Sequence, residues 1–528
     1  MIRAEAGFPD YSGSPIIGGW GAWFRKKTIM AVQQIMKMRP TESGAERIEH
    51  EDLAAKWAMW SGVAFLVLFG VFGVVAAFKF IIPDLFYGFN WLSWPRIRPV
   101  HVQGMIFGWL LPVFMGLFYY MVPRLCGTKL WSEKLGIATT LVWSVGVLIM
   151  ILGVLNPMDS VNPWIMTKGK EYEEWPVLSS IFIFGGWVML MVNLLKTFAR
   201  RTYTQMYVAL WYTMGMLMWT PFVYLIGNWP SQLIHSAAFM GLNDANTNWF
   251  YGHSVVGLVA TPGALAVAYY FLPKTTNAPL YSHKLSLIGF WSLGAIYIWN
   301  GAHHMIYGPI PYWLQTVATI FSFLLFIPVL SAVTNFFGTI RGEWHQLRSN
   351  VPLKFLIAGT VFYLLVSTQG SFQALRSLNA VTHFTDWVIG HSHMAMFGFV
   401  TFYAYAGCYY ALPRMYKRPL YSEGMADWHF WLSFVGFILF STALWIGGFN
   451  QGMEWNNLNL PFIKTVDDMK PFWHIRAAGG TLMLIGMFLF AFNLVMTATM
   501  PIATTSDDGG ELGIEDPSRT PSTLTARA

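Results

Sequence analysis

The 528-residue chain has two cysteines, Cys126 and Cys408, and no Cys-x-x-Cys or Cys-x-x-Cys-His anywhere. That excludes a thiolate metal site and a covalently attached c-type haem in this chain. Charge is scarce as well: 11% of residues are Asp, Glu, Lys or Arg, against about 25% in soluble domains. With 55% hydrophobic residues and a mean hydropathy of +0.45, a water-soluble globule is excluded. No short apolar core followed by a cleavage site opens the chain, so no secretory signal is expected. Lys and Arg number 33 against 26 Asp and Glu. In a membrane protein this excess marks loops that stay in the cytoplasm, and no nucleic-acid partner is inferred from it.

Long apolar runs dominate what is there. A bilayer-spanning helix needs about 20 apolar residues. Twelve such runs are read at 57–81, 101–124, 136–156, 176–198, 205–227, 248–272, 284–307, 312–338, 353–373, 389–413, 428–449 and 475–500. The expected fold is all-α: a polytopic membrane protein with 12 transmembrane helices over residues 51–500. Residues 1–50 read as a polar cytoplasmic extension, in which "AWFRKKTIMAVQQIMKMRP" suits either a basic amphipathic helix on the membrane surface or a disordered leader. Residues 501–528, rich in Ser, Thr, Gly and Asp, read as a disordered cytoplasmic tail. No internal repeat emerges. Basic residues crowd the N-terminus and the loops after even-numbered helices, such as Lys196, Arg200 and Arg201, or Arg414, Lys417 and Arg418. That bias puts both termini in the cytoplasm. Arg96, Arg98 and Arg376 break it.

Of 13 histidines, His50, His283, His345 and His429 fall near expected cytoplasmic ends and read as ordinary interfacial residues. Six others converge. His101 opens the second span, His253 stands near the start of the sixth, His303 and His304 near the end of the seventh, and His391 and His393 near the start of the tenth. All of these positions lie at the non-cytoplasmic level. A lone intramembrane histidine is as readily a hydrogen-bonded core residue as a ligand; six at one depth are not explained that way. Neutral imidazole is a preferred ligand of haem iron, copper and zinc. In "TDWVIGHSHMAMFGF" the two histidines at i and i+2 are about 200° apart around a helix, so each ring faces its own partner. Two haems on opposite faces suit that spacing, with His101 completing six-coordination at one of them. His303–His304 can bracket one metal if the helix end is irregular, as Gly301 and Pro309 suggest. With His253, three nitrogens could hold a copper and leave one position open.

The stretches "RPVHVQGMIFG", "NWFYGHSVVGL", "YIWNGAHHMIYGPIPYW" and "THFTDWVIGHSHMAMFG" carry a resemblance. Across about 55–500 the chain resembles the haem–copper oxygen reductase superfamily, catalytic subunit I, and most of all the cbb-type, or C-family, cytochrome c oxidase. The resemblance implies the haem–copper oxidase subunit I fold and two haems b plus copper. By it, His101 and His393 ligate a low-spin haem b, His391 ligates a high-spin haem b, and His253, His303 and His304 hold the copper. Tyr297 takes the place of the family's redox-active tyrosine, which is cross-linked to the copper histidine of the sixth helix. It would supply one of the four electrons that O–O cleavage needs.

Further roles follow from the same resemblance. "GKEYEEWPVL" is similar to an acidic segment in which Glu171 and Glu174 would help bind calcium between haem propionates; a solvated acidic loop is the alternative. Arg96, Arg98, His383 and Arg476 are candidate propionate contacts. Ser286, Ser292 and Tyr363 are candidate members of a proton path toward Tyr297, unless their hydroxyls merely bond their own helices. Gln369 departs from the pattern, since family members usually carry a glutamate beside the proximal histidine.

The runner-up reading is a nitric oxide reductase of the same superfamily. Such enzymes carry non-haem iron in place of copper and commonly a glutamate four residues after the sixth-helix histidine. Gly257 stands there in this chain. A transporter using histidines as a proton relay is a third reading. Expected partners are membrane-bound c-type cytochrome subunits, cytochrome c as electron donor, O2 as substrate and the lipid bilayer of a bacterial cytoplasmic membrane.

Overall fold

The computed structural model describes residues 48–156, 167, 170–233 and 240–500. The segment 22–40 and the tail after residue 500 lie outside the described residues. Among the described residues all regular structure is helical. In chain order the long helices are α1 (Leu53–Phe78), α2 (Trp94–Cys126), α3 (Glu133–Leu155), α4 (Val177–Ala199), α5 (Val208–Leu233), α6 (Leu242–Thr276), α7 (His283–Tyr297), α8 (Tyr312–Thr339), α9 (Val351–Gln373), α10 (386–416), α11 (Glu423–Trp455) and α12 (Phe462–Thr499). Each expected span has its helix. Ten of these helices, all but α7 and α10, are long and apolar enough to cross a membrane as unbroken segments.

The difference at α7 matters. The helix ends at Tyr297, ten residues before the expected end, and the chain turns through a short 3-10 segment at Gly301–Met305. Fifteen residues give about 22 Å of helix, short of the ~30 Å hydrocarbon layer. The 3-10 segment, which carries His303 and His304, continues the traverse.

Three helices form the inside of the bundle. In α2 and α6, 94% of the apolar stretch is buried, against 39% in α1, α3, α8 and α12. Helix α10 is likewise buried along 397–413. Each of the three contains a π-helical stretch, at Gly104–Leu110, Val255–Ala260 and Met394–Thr401. Such stretches widen the turn and cluster at functional sites. Here each follows within a few residues of a histidine of the site.

The structure also overturns the reading that there is no repeat. After each inner helix the chain runs "YYMVPRLCGTKLWS" (119–132), "YYFLPKTTNAPLYS" (269–282) and "YYALPRMYKRPLYS" (409–422), with no gap. Each has a left-handed residue eight positions in: Gly127 (φ 59°), Asn277 (φ 52°) and Lys417 (φ 53°). Each ends on a serine that caps the next helix, with Ser132, Ser282 and Ser422 accepting from Leu135, Leu285 and Met425 at 3.1–3.3 Å. The same serines' N–H groups donate to Asn193, Asn335 and Asn493 at 2.9–3.1 Å. The preceding N–H groups donate to Thr197, Thr339 and Thr497. At a membrane boundary every backbone group needs a partner, and three equivalent asparagine–threonine pairs supply it.

Candidate active site

The sixth-helix and post-α7 histidines converge. Ligand nitrogens of His253, His303 and His304 lie within 4.8 Å of one another. His253 Nδ1 is 3.1 Å from both His303 Nε2 and His304 Nε2. No single proton at His253 Nδ1 makes both contacts fully favourable at once, whereas a cation at the focus of the three rings accepts three lone pairs. Outside partners hold the rings. The Ser322 hydroxyl donates to the Ala318 carbonyl, so it accepts from His303 Nδ1–H at 2.7 Å and leaves Nε2 as the free lone pair. Trp249 stacks on His304 with ring centres 4.2 Å apart.

The second group spans α2 and α10. The rings of His101 and His393 face each other 16° from parallel, with centres 6.2 Å apart. That is too far for ring contact. It is the gap that a metal fills with two bonds of about 2 Å to ring nitrogens. His101 Nδ1 donates to the Phe69 carbonyl and His393 Nδ1 to the Ile389 carbonyl, each at 2.8 Å. Both rings therefore keep Nε2 unprotonated. His391 follows the same rule through Gln369, whose Oε1 lies 3.0 Å from His391 Nδ1. Four histidines are thus locked in one tautomer by four unrelated acceptors, and the donor sets fit haem iron and copper.

Tyr297 completes the site. Its ring stacks on His253 at 4.6 Å and 20°, and His253 Nε2 is buried without a hydrogen-bond partner among the described residues. The ring also fills the space above Gly257: a Cβ there would sit 1.8 Å from Tyr297 Cε1 and Cζ. A tyrosine at 297 and any side chain at 257 exclude each other in this arrangement.

A family model for cytochrome c and quinol oxidase polypeptide I matches residues 53–482. The chain belongs to this family. It is a haem–copper oxidase subunit I, and its enzyme class is cytochrome c oxidase. It is 34% identical over 454 residues to a bacteroid cytochrome c oxidase subunit 1 homolog of Bradyrhizobium diazoefficiens, covering 83% of this chain and 80% of that one. It is 32% identical to the cbb3-type cytochrome c oxidase subunit CcoN1 of Stutzerimonas stutzeri, covering 80% and 89%. A haem–copper terminal oxidase dimer solved by cryo-EM shares the fold, with a TM-score of 0.67 at 18% identity over 85% of this chain and 84% of that chain. Membership of the family makes haem and copper the groups these donor sets are built for.

The remaining expected residues divide. Arg476, with an 11% exposed side chain, lies over the Phe80 ring and 4.0 Å from Asp386, and its Nε and Nη1 have no hydrogen-bond partner among the described residues. A buried cation with unused donors suits an anionic group such as a propionate. His383 bonds the His304 backbone, which opposes the downward push of burial on its pKa. Arg98 pairs with Glu171 and lies 3.7 Å from Glu174. Burial, then the Glu171 charge, pushes Glu174 up to about 7, a cost that a cation beside it would relieve. Arg96 is not brought to this group; it donates to the Val154 and Asn156 carbonyls at the end of α3.

Of the hydroxyls, Ser292 donates to its own helix at Ile288, 2.5 Å away. Ser286 likewise donates back to the Ser282 carbonyl at 3.1 Å, but it also accepts from Asn335 at 2.8 Å, and Asn335 reaches Tyr269 at 3.5 Å. Tyr269 stacks on Tyr212 at 5.3 Å. The Tyr363 hydroxyl is buried without a hydrogen-bond partner among the described residues. Sequence reading passed over Asn335, Tyr269, Tyr212, Ser322 and Trp249. Asn335 and Tyr269 carried one available signal, their place in the repeat.

Proposed function

We propose that this chain is the catalytic subunit of a terminal respiratory oxidase that reduces O2 to water, with electrons from cytochrome c and protons from the cytoplasm, coupled to proton translocation. One observation carries the reading: Tyr297 stacks on His253 and occupies the space over Gly257. The alternative, nitric oxide reduction with non-haem iron, would need a glutamate where that ring lies. Low-spin haem b belongs to His101 and His393, high-spin haem b to His391, and copper to His253, His303 and His304. When bound, these groups supply electrons and the open coordination positions at which O2 is reduced. The chain's own residues orient the ligands and deliver protons. Ser286, Asn335, Tyr269, Tyr212 and Tyr363 form the polar series that points from the opposite end of the bundle toward Tyr297. Tyr297 donates its hydroxyl proton at the site, and this polar series returns a proton to it.

Finer assignments follow. Calcium would bind at Glu171 and Glu174, in competition with the Arg98 ion pair, and Arg476 would meet propionates. Membrane-bound c-type cytochrome subunits would deliver electrons at the histidine end. The charge bias supports a bacterial cytoplasmic membrane with both termini inside. The deciding experiment is copper and iron per mole of purified complex beside haem b content. About one copper with no iron beyond haem supports the oxidase. Non-haem iron in place of copper would turn the assignment to nitric oxide reduction.

Two variants test the haem ligands. A Cβ at Gly73 would stand 2.4 Å from His101 Cε1. Gly73→Ala is therefore expected to displace this axial ligand and abolish the six-coordinate low-spin signal in near-infrared magnetic circular dichroism. An unaltered signal would exclude His101 as that ligand. Gln369→Glu places a carboxylate against His391 Nδ1–H and makes the imidazole more electron-donating. The high-spin haem potential is expected to fall in a redox titration; an unchanged or higher value refutes the argument.

A further inference from the structure

The polar series toward Tyr297 is bonded at its foot, where Asn335 reaches both Ser286 and Tyr269. Above the foot the Tyr363 hydroxyl has no hydrogen-bond partner among the described residues. A charge in apolar surroundings is costly unless dipoles face it. The titratable groups that act on the Tyr363 hydroxyl are Tyr403, Tyr269 and Tyr297, with Tyr403 the strongest. Of these three, Tyr403 alone stands outside the series.

Tyr403 is fully buried (0% exposed) on α10. Its ring lies against α9 at Gly359, where a Cβ would stand 2.7 Å from Cδ1 and Cε1. Phe399 meets the ring edge-on at 5.2 Å and stacks on Tyr363 at 4.4 Å. Phe336 packs on it at 6.4 Å and on Tyr269 at 4.8 Å. Tyr403 thus shares neighbours with both the foot of the series and Tyr363.

Its hydroxyl lies 2.7 Å from Thr360 Oγ1. Thr360 donates its own hydrogen to the Leu356 carbonyl at 2.8 Å, so it accepts from Tyr403. That line of donors ends in the backbone, and Tyr403 cannot pass a proton along it. What remains to Tyr403 is the lone-pair side of its oxygen. Thr360 and Tyr363 are neighbours on one face of α9, three residues apart, which puts that oxygen beside the Tyr363 hydroxyl. The equivalent positions of the other inner helices, six residues before the tyrosine pair, hold Val113 and Gly263. Packing of an inner helix therefore does not require a hydroxyl there.

We propose that Tyr403, oriented by Thr360, is a positioning residue for proton delivery. With its hydrogen turned away to Thr360, its oxygen faces a proton arriving at Tyr363 and favours it there, and a dipole fixed in advance costs no reorganisation during the transfer. Tyr403 itself neither gains nor loses a proton. Tyr363 takes one from the Tyr269 side and releases the one it held toward Tyr297; only O–H bonds break and form, and no electron moves. The inference rests on the oxidase reading above.

The test uses the purified complex with reduced cytochrome c and O2. Turnover at saturating substrate is measured in H2O and in D2O, beside haem spectrum and copper content. Tyr403→Phe keeps the ring and removes the hydroxyl. Its turnover is expected to be about three- to tenfold lower, the scale of one hydrogen-bonding dipole, with a larger solvent isotope effect and wild-type haem and copper. Thr360→Val leaves Tyr403 in place without its acceptor and is expected to move both readouts the same way. Thr360→Ser keeps the acceptor and is expected to restore both. Slower turnover with an unchanged isotope effect would make the pair a packing contact and overturn the proposal, as would wild-type turnover in Tyr403→Phe. If Tyr403→Phe does not assemble by its haem spectrum, the two Thr360 variants decide by the same criteria. A wild-type complex that consumes O2 no faster than Tyr403→Phe overturns this proposal alone; one that consumes no O2 overturns the oxidase reading beneath it.

Discussion

Replacing Tyr297 with phenylalanine will cut oxygen turnover by about 100-fold or more, the range associated with loss of a positioned proton donor. Copper and haem content will stay at wild-type levels. The separation is possible because the two roles of this side chain lie on different atoms. The ring stacks on His253 at 4.6 Å and covers Gly257, and phenylalanine preserves both contacts. Only the hydroxyl is lost, and with it the hydrogen given up at the site. Copper analysis beside oxygen consumption distinguishes the outcomes. Turnover within threefold of wild type would mean that Tyr297 is packing, not chemistry. Loss of copper together with turnover would mean that the hydroxyl is needed to hold the metal site, and that its two roles are not separable.

The second large effect is expected at Gly257. Gly257→Glu will not graft a fourth ligand onto the wild-type site, because its Cβ alone would lie 1.8 Å from two ring atoms of Tyr297. The ring must leave its stack on His253, and oxygen turnover is expected to fall below about 1% of wild type, comparable with losing the donor. The double variant Gly257→Glu with Tyr297→Ala removes the collision. It is expected to recover metal binding, with greater tolerance of iron, but not oxygen turnover. Non-additivity of this kind marks residues that share one space. If the single Glu variant turns over oxygen normally, the mutual exclusion is wrong.

Much of this site was legible in the chain itself. Six histidines at one depth, the adjacent pair near Gly301, and Gly257 four residues after His253 are all visible as residue types and spacings. The twelve spans are visible because lipid offers backbone groups no partners, so each crossing must be a long apolar helix. The reading failed where distance along the chain hid the relation. The three copies of the loop after the inner helices start 150 and 140 residues apart and share about half their residues; equivalent serine, asparagine and threonine bonds made them recognisable. His429, read as interfacial, is fully buried in α11; its position near a span end says nothing about what packs over it. Arg96 was grouped with Arg98, His383 and Arg476 because all stand near the same outer level, yet its side chain bonds the backbone at the end of α3.

The sequence by itself determined which groups are available: the imidazoles, the tyrosine, the glycine and the depth at which each stands. The tertiary structure alone decided what those groups can do. Three of the four tautomers are set by acceptors on other elements: the Phe69 carbonyl, 32 residues from His101, the Gln369 amide, 22 residues from His391, and the Ser322 hydroxyl, 19 residues from His303. Whether Tyr297 reaches His253 depends on α7 stopping early and on Gly257 having no side chain. These are contacts between elements, and local periodicity carries no information about which surface another helix will cover.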